Sequence, residues 1–288
     1  MRLGLFFNPH YPQRDEIFAQ LERLQEERGL ELFGLEEQSE ILPPFMRRMK
    51  RDETAGLGLA AILVFGGDGT ILRSMHFSLQ AGAPLLGVNL GRLGFLSDAH
   101  LGELERVMDC LRDGKFAMQE RMLLRAVVKR DGKTLHEGLA LNDAVIYKGR
   151  VPTLIDIRVY CNRQFVLETR CDGILASTPT GSTAYSLSAG GPILSPVMDA
   201  FIVAPLNPHI LSVRPMVFGP TDKLVLRLRH ANNSAMLQLD GRNIIDLRDG
   251  DTLHVSRARR KLRFVKLSSK TFYQILRHKL HMGKNNRP

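Results

Sequence analysis

No run of about 18 uncharged apolar residues, the length a membrane-crossing helix needs, occurs anywhere in this chain. The opening residues, Met1 to Pro9, hold too short an apolar core for a secretory signal and are expected as a buried strand of a cytoplasmic protein without a membrane partner. Cysteine is scarce too. Cys110, Cys161 and Cys171 form no CxxC pair and no metal set, as expected of thiols in a reducing compartment, and are read as packing residues. Acidic residues are missing from residues 252–288, which carry eleven Lys and Arg, so the preceding 251 residues sum to about −1 of the net +10. A basic end could grip nucleic acid. This one keeps an apolar pattern, Leu262 and Phe264, then Phe272, Ile275, Leu276 and Leu280, and reads instead as a solvated strand and helix beside an anionic-ligand site, with no nucleic-acid partner.

What is present suits two domains, with 288 residues of which 44% are apolar. Strand and helix signals alternate over the first part. Leu3 to Phe7 reads as a buried strand, and Ile17, Leu21 and Leu24 follow at helical spacing, with Gly29 as a stop. Ala60 to Phe65 is a second strand, Thr70 to Gln80 a helix and Leu85 to Asn89 a third strand. Leu101, Leu104, Met108 and Leu111 then form one face of a helix stopping near Gly114. This alternation predicts an α/β domain over 1–118 with a parallel sheet. From about Arg121 the period becomes two, with turn chemistry at Asp131-Gly132, Asp240-Gly241 and Asp249-Gly250, which predicts a mostly β, sandwich-like domain over 119–269. No repeat or low-complexity linker separates the halves.

Four segments carry candidate chemistry. Gly56-Leu57-Gly58-Leu59-Ala60-Ala61 matches a relaxed dinucleotide fingerprint, but it precedes its strand instead of following it and is read as a linker. Gly66-Gly67-Asp68-Gly69-Thr70 sits where a strand should end and a helix begin, a place suited to phosphate oxygens. Asp68 there is either a reactive carboxylate or a helix N-cap, and Arg73, one turn on, is either a phosphate clamp or a solvated side chain. Asn142-Asp143 precedes an apolar strand and is either a turn or a polar pair for ribose hydroxyls or an amide. The stretch from Asp172 to Pro192 is crowded with hydroxyls: Ser177, Thr178, Thr180, Ser182, Thr183, Tyr185, Ser186 and Ser188. Ile174, Leu175, Ala184 and Leu187 would tie it to a core.

Taken together, these segments resemble the ATP-NAD kinase family. The resemblance runs from Asn8-Pro9 through Gly66 to Thr70, Gly91-Arg92-Leu93-Gly94-Phe95-Leu96, Asn142-Asp143 and Asp172 to Pro192, to Pro208 through Pro215. The Gly-Gly-Asp-Gly-Thr element is shared with lipid kinases, whereas the Thr178 to Gly191 stretch is far narrower. The resemblance implies transfer of a phosphoryl group from ATP, or another donor, to the 2′-hydroxyl of the adenosine ribose of NAD. It also implies a C-terminal helix within 270–288 returning to the first domain, a homo-oligomer (dimer or tetramer), and Mg²⁺ or another divalent cation arriving with ATP. No tightly bound organic cofactor and no protein-held metal are expected. By resemblance Asp68 is the base, Gly69 and Arg73 face the donor phosphates, and Phe95 floors the adenine pocket. Asn142 and Asp143 hold ribose or adenine, and Asp172 serves the nicotinamide side or the partner subunit's ligand. Thr180, Thr183, Ala184, Tyr185, Ser186, Leu187 and Ser188 line the NAD pocket, with Tyr185 stacking on adenine. Thr153, Asp240 and Arg242 join as further contacts, and Arg170 matches a charged position that goes with preference for NAD over NADH. Two rivals stand beside this reading: a lipid kinase sharing the glycine element, and a non-catalytic NADP-binding sensor.

Overall fold

The apolar runs Ala61–Phe65 and Leu85–Asn89 become strands buried along their whole lengths, as strands with both faces covered must be. The computed structural model describes residues 1–12, 14–91, 94–149, 153–231 and 234–282. The two strands are central in an eight-stranded sheet ordered 47–49, 31–35, 2–7, 61–65, 85–89, 262–266, 117–121, with 97–100 also paired to 85–89. The pairings among the first six and with 97–100 are parallel. Helices Arg14–Arg28, Asp68–Ala81 and Leu104–Asp113 cover it. The second and third end on Gly82 and Gly114, both left-handed, where glycine carries no Cβ penalty. Leu3, Leu5, Phe7, Leu21, Leu63, Phe65 and Val265 share one core, with Phe7 stacked on Phe65 at 5.1 Å.

The chain divides into a unit of residues 1–120 with 262–288, and a unit of residues 121–261. The sequence limits were 118 and 270. The strand Leu262–Lys266, which period-two patterning assigned to the β-rich half, instead pairs in parallel with Leu85–Asn89. Alternation says that a segment is a strand, not which sheet receives it. Asp98 holds this return: its nearly buried carboxylate accepts from the amides of Leu267 and Ser268, the Ser268 hydroxyl and the Lys266 ammonium. Helix Phe272–Leu280 follows, started by a reciprocal Thr271–Gln274 capping box and buried through Ile275 and Leu276. Residues 283–288 of the expected closing helix lie outside the described residues.

The second unit is two six-stranded antiparallel sheets, ordered 216–218, 201–206, 173–177, 143–148, 235–239, 242–247 and 164–171, 155–161, 224–230, 252–257, 124–130, 133–140. Their inner faces meet in one core, with Ala144, Ile146, Ile174 and Leu237 from the first sheet and Leu124, Ala126, Ile157 and Leu226 from the second. The turns at Asp131-Gly132 and Asp240-Gly241 have positive φ at both residues, 49° and 78°, then 48° and 74°, the mirror-image turn that matches strand twist. Strands Asp143–Lys148 and Gly173–Ser177 are covered on their outer face too. Val145, Leu175 and Ile202 form a second cluster there, against which Ala189 of the hydroxyl-rich stretch and Leu194 just beyond it pack. Among the described residues no helix is long and apolar enough to cross a membrane.

Candidate functional site

In the first unit the chemistry gathers where the buried strand Ala61–Phe65 gives way to helix Asp68–Ala81. Gly66 lies against Thr70, whose hydroxyl oxygen would stand 2.5 Å from any added Cβ. Gly67 caps the helix without a side chain, so Asp68 is its first residue and not its N-cap. The Asp68 carboxylate turns to another segment. Its Oδ2 accepts the amide of Phe95 at 2.9 Å and its Oδ1 that of Leu96 at 3.0 Å. Gly94 makes this approach possible, since a Cβ there would come within 2.1 Å of Asp68 Oδ1. Asp68 is half-buried, flanked by the exposed Gly67 and Gly69, neither of which has an atom within 4 Å of where a Cβ would be. A helix start with open space before its amides is a natural place for phosphate oxygens.

Arg73 is exposed on the same helix, its Nη2 donating to Thr70 Oγ1 at 3.3 Å. Phe95 is half-buried, and Lys279 Nζ of the C-terminal helix lies 5.0 Å from its ring centroid, a cation–π contact. The sequence reading missed Lys279, because nothing in a basic helix says which lysine returns to an aromatic ring. Arg92 and Leu93 of the same motif lie outside the described residues.

In the second unit the fold joins two motifs that are separate in the sequence. The amide of Thr178 donates to the Asn142 carbonyl at 2.8 Å, as does the Ser177 hydroxyl at 3.0 Å, and the Thr178 hydroxyl donates to the Leu141 carbonyl at 2.5 Å. Gly181 is pressed so close that a Cβ would meet the Asn142 carbonyl oxygen at 2.3 Å. Ser182 bonds to Pro179 and Leu194, and Thr183 to the Thr180 carbonyl at 3.4 Å. Much of the hydroxyl crowding therefore fastens the backbone. Thr180 Oγ1 and Ser186 Oγ are buried with no partner among the described residues, as is Thr153 Oγ1, and such groups invite a ligand or water. Tyr185 stands 42% exposed at the start of the short helix Tyr185–Ser188, following Ala184, with Leu187 half-buried and Ser188 exposed.

Asp240 holds the Asn142-Asp143 corner. Its Oδ1 accepts the amides of Asn142 at 2.7 Å and Asp143 at 3.2 Å, and its Oδ2 that of Leu141 at 2.9 Å. Burial pushes the Asp240 carboxyl up, against the three backbone amides and, last, the exposed Arg242, which draw it down. Burial and then the charge of Asp240 push Asp143 up to about 7. Asp172 accepts from Asn207 Nδ2 at 2.9 Å and Lys148 Nζ at 2.5 Å, and these two, Asn207 first, hold it below the usual carboxylate range. Neither partner was singled out from the sequence. Asn207 carries a signal, a non-glycine residue at φ +47° just before Pro208. Arg170 is engaged on the neighbouring strand, with two bonds to Asp156 at 2.7 and 2.9 Å.

Among the described residues no three His, Cys, Asp or Glu side chains are grouped to hold a metal. Cys171 is fully buried, and burial pushes its thiol up to about 12, in keeping with a packing role.

Residues 11–116 match the model of the ATP-NAD kinase N-terminal domain and residues 141–267 that of the ATP-NAD kinase C-terminal domain. An NAD kinase of Moorella thermoacetica is 36% identical over 98% of this chain and 90% of its own length, and one of Desulforamulus reducens is 42% identical over 78% of each. Among solved structures, yeast NADH kinase complexed with NADH superposes with a TM-score of 0.88 at 24% identity, over 100% of this chain and 89% of that one. An Archaeoglobus fulgidus NAD kinase in complex with ATP superposes with a TM-score of 0.73 at 22% identity, over 98% and 99%. With both domain models matched and relatives of this identity aligned along nearly the whole chain, the glycine element is that of a dinucleotide kinase and not of a lipid kinase, and the chain belongs to the ATP-NAD kinase family.

Proposed function

We propose that this family member transfers the terminal phosphoryl group of ATP to the 2′-hydroxyl of the adenosine ribose of NAD, giving NADP and ADP, with Asp68 as the base. The observation that carries the reading is the Asp68 carboxylate. Two backbone amides orient it, it is half exposed, and it stands at a helix start flanked by two glycines with open space beside them. An ionised carboxylate offers about four lone-pair sites. With two taken by Phe95 and Leu96, Asp68 keeps capacity to accept the hydroxyl proton as the new P–O bond forms and the bond to the ADP oxygen breaks. Phosphoryl transfer spreads charge over the transferred oxygens, so the protein's task is positioning and charge stabilisation. The helix amides at Gly69 and the Arg73 guanidinium supply that stabilisation. Asn142, Asp143, Thr180, Ser186 and Tyr185 are proposed on the dinucleotide side, where two buried hydroxyls without partners and an exposed aromatic ring suit a ribose and a base.

Magnesium is proposed as a passenger of the nucleotide. Mg²⁺ is ordinarily held by one or two carboxylates together with substrate phosphates, and bound with ATP it would neutralise phosphate charge. A cytoplasmic homo-oligomer, dimer or tetramer, is the proposed assembly. Its support is the number of exposed apolar side chains within 197–217: Leu211 is 85% and Val197 59% exposed, and Met198, Ile210 and Val217 are exposed as well. The decisive experiment is a coupled assay of NADP formed from NAD, ATP and Mg²⁺ by the wild type and Asp68→Asn. Turnover by the wild type with a loss of about 10²–10⁴-fold in the variant is expected. Equal turnover removes Asp68 from the base role, and no turnover in either with NADP still bound favours a sensor.

A further inference from the structure

Part of the basic end of the chain gathers in one place. Arg257, Arg259 and Arg260 line a cavity of about 780 Å³ together with Arg125 and Lys223, all within the second unit. The cavity opens on the outer face of the second sheet of the sandwich. Leu124, Ala126, Ala140 and Val255 point into the core, so their strand neighbours Arg125, Leu139 and Ser256, which line the cavity, point out. The register sets these three side by side, with Arg125 opposite Ser256 on one strand and Leu139 on the other. Asp143 and Ser177, beside the Asn142 corner, belong to the first sheet, so the cavity is a different place.

Two carboxylates stand in its wall, and both are already engaged. Glu137 takes two bonds of 2.6 Å from Arg125. Asp222 is tied into its own loop, where Oδ2 accepts the Gly219 amide at 2.8 Å and Oδ1 accepts Asn162 Nδ2 at 2.7 Å. Asn162 in turn accepts the Lys223 amide at 3.0 Å, so the backbone that carries Lys223 is fixed before any ligand arrives. Arg257 is paired with Asp199 at 2.9 Å. Lys223 and Arg259, both exposed, have no ion-pair partner among the described residues. Five cationic side chains against two engaged carboxylates leave an excess of positive charge, which a concave wall concentrates.

We propose that this cavity binds a compact anion carrying two or more phosphate groups, with the Lys223 ammonium and the Arg259 guanidinium as its contacts and Arg257 and Arg260 beside them. Its volume lies within the about 300–1,000 Å³ of small-ligand sites. A guanidinium fork matches phosphate oxygens in pairs, and an ammonium serves them as a point charge. No aromatic ring lines the cavity, which argues against a stacked base and against single-stranded nucleic acid, whose binding relies on such rings. Glu137 and Asp222 also interrupt the positive surface that a long phosphate backbone would follow. The site stands apart from the kinase reading and does not depend on it.

Titration calorimetry of the full chain with inorganic triphosphate tests this, at low salt where screening is weak. A binding event is expected that Lys223→Ala combined with Arg259→Ala weakens by about tenfold or more, the usual cost of a lost charged contact. Both side chains are exposed, so the variant should keep the wild-type melting temperature without ligand. Arg73→Ala, which removes the cation proposed to face phosphate in the first unit, should leave the event intact. Arg227→Ala combined with Arg229→Ala takes two charges from the same outer face but outside the cavity, and should leave it intact as well. A cavity variant that binds as the wild type does overturns the proposal. An equal loss in the Arg227 and Arg229 variant overturns it too, because net charge alone would then explain the binding. Tighter binding of a single-stranded oligonucleotide, lost with Lys223 and Arg259, would make the cavity a nucleic-acid contact instead.

Discussion

A methyl group at residue 94 would test the role of Asp68 without touching Asp68. The Cβ of Gly94→Ala would lie 2.1 Å from Asp68 Oδ1, 2.9 Å from its Cγ and 3.1 Å from Ser97 Oγ. Comfortable contact between heavy atoms begins at roughly 3.5 Å, so the carboxylate must retreat by more than about 1 Å or the 94–97 turn must open. Either movement breaks the bond from the Leu96 amide, because Oδ1, the oxygen that meets the new methyl, accepts it, and it draws Oδ2 of the same carboxylate away from the Phe95 amide. A displacement of about 1 Å at a reacting group costs on the order of 10²-fold in rate. Gly94, Leu96 and Ser97 are buried, so the cost to the fold should fall within the roughly 1–3 kcal/mol range for overpacking. The expected result is a kcat lower by about 10²-fold with small changes in KM, the signature of an interaction made in the transition state. The melting temperature should fall by only a few degrees. Gly102→Ala, where no atom lies within 4 Å, is the control and should behave as wild type. A folded Gly94→Ala enzyme with wild-type kcat would refute the view that the held position of Asp68 matters.

Gly69→Ala inverts this pattern. No atom lies within 4 Å of the new methyl and helix propensity favours alanine, so the melting temperature should hold or rise slightly while the KM for ATP increases; an unchanged KM would remove phosphate from that space. Lys148→Met takes from Asp172 one of the three groups that lower its pKa, Asn207, Lys148 and His209. A depressed carboxyl stabilises the fold above its unfolded value of about 3.9 and ceases to do so as pH falls through the folded value. Urea unfolding should therefore separate variant and wild type at pH about 7 and bring them together at pH about 2; an equal gap at both would deny the pairing. Alkylation of the native protein should modify Cys110 while sparing Cys171, whose thiol burial pushes up to about 12, and comparable labelling of both would contradict that burial.

Much of the architecture was legible because its signals are local. The run Leu85 to Asn89 became the strand expected of it, and the helix read from Thr70 to Gln80 gained two residues at its start and one at its end. Asp131-Gly132 and Asp240-Gly241 turned as their chemistry requires, since few other residues accept positive φ in succession. What stayed hidden depends on partners far along the chain. Asp68 reaches Phe95 and Leu96, Asp240 reaches Leu141 to Asp143, and Asp98 fixes a strand that patterning had given to the other half. Hydroxyls are the extreme case. Ser177, Thr178 and Ser182 bind backbone while Thr180 and Ser186 bind nothing described, and no feature of the sequence separates the two groups.

Aspartates as fasteners recur across the molecule, and counting their donors sorts structural carboxylates from one able to do chemistry. Asp98 receives four donors and is nearly buried, which fills about all the lone pairs a carboxylate has. Asp251, 1% exposed, takes two bonds from Arg130 and one from the Arg248 amide, and the half-buried Asp240 takes three amides. Those three can hold segments together but have little capacity left for a substrate, and access to Asp98 and Asp251 is closed. Asp68 combines two donors, partial exposure and glycines on either side. The same amide bonds that fix its direction leave about half of its accepting capacity unused among the described residues, which is what the proposed base requires. The ranking has a consequence that an acceptor count makes testable. Substitution of Asp98 or Asp251 by Asn should reduce thermal stability in proportion to the donors stranded, whereas Asp68→Asn should reduce turnover far more than stability. An Asp68→Asn protein whose loss of activity merely tracked its loss of melting temperature would place Asp68 among the fasteners.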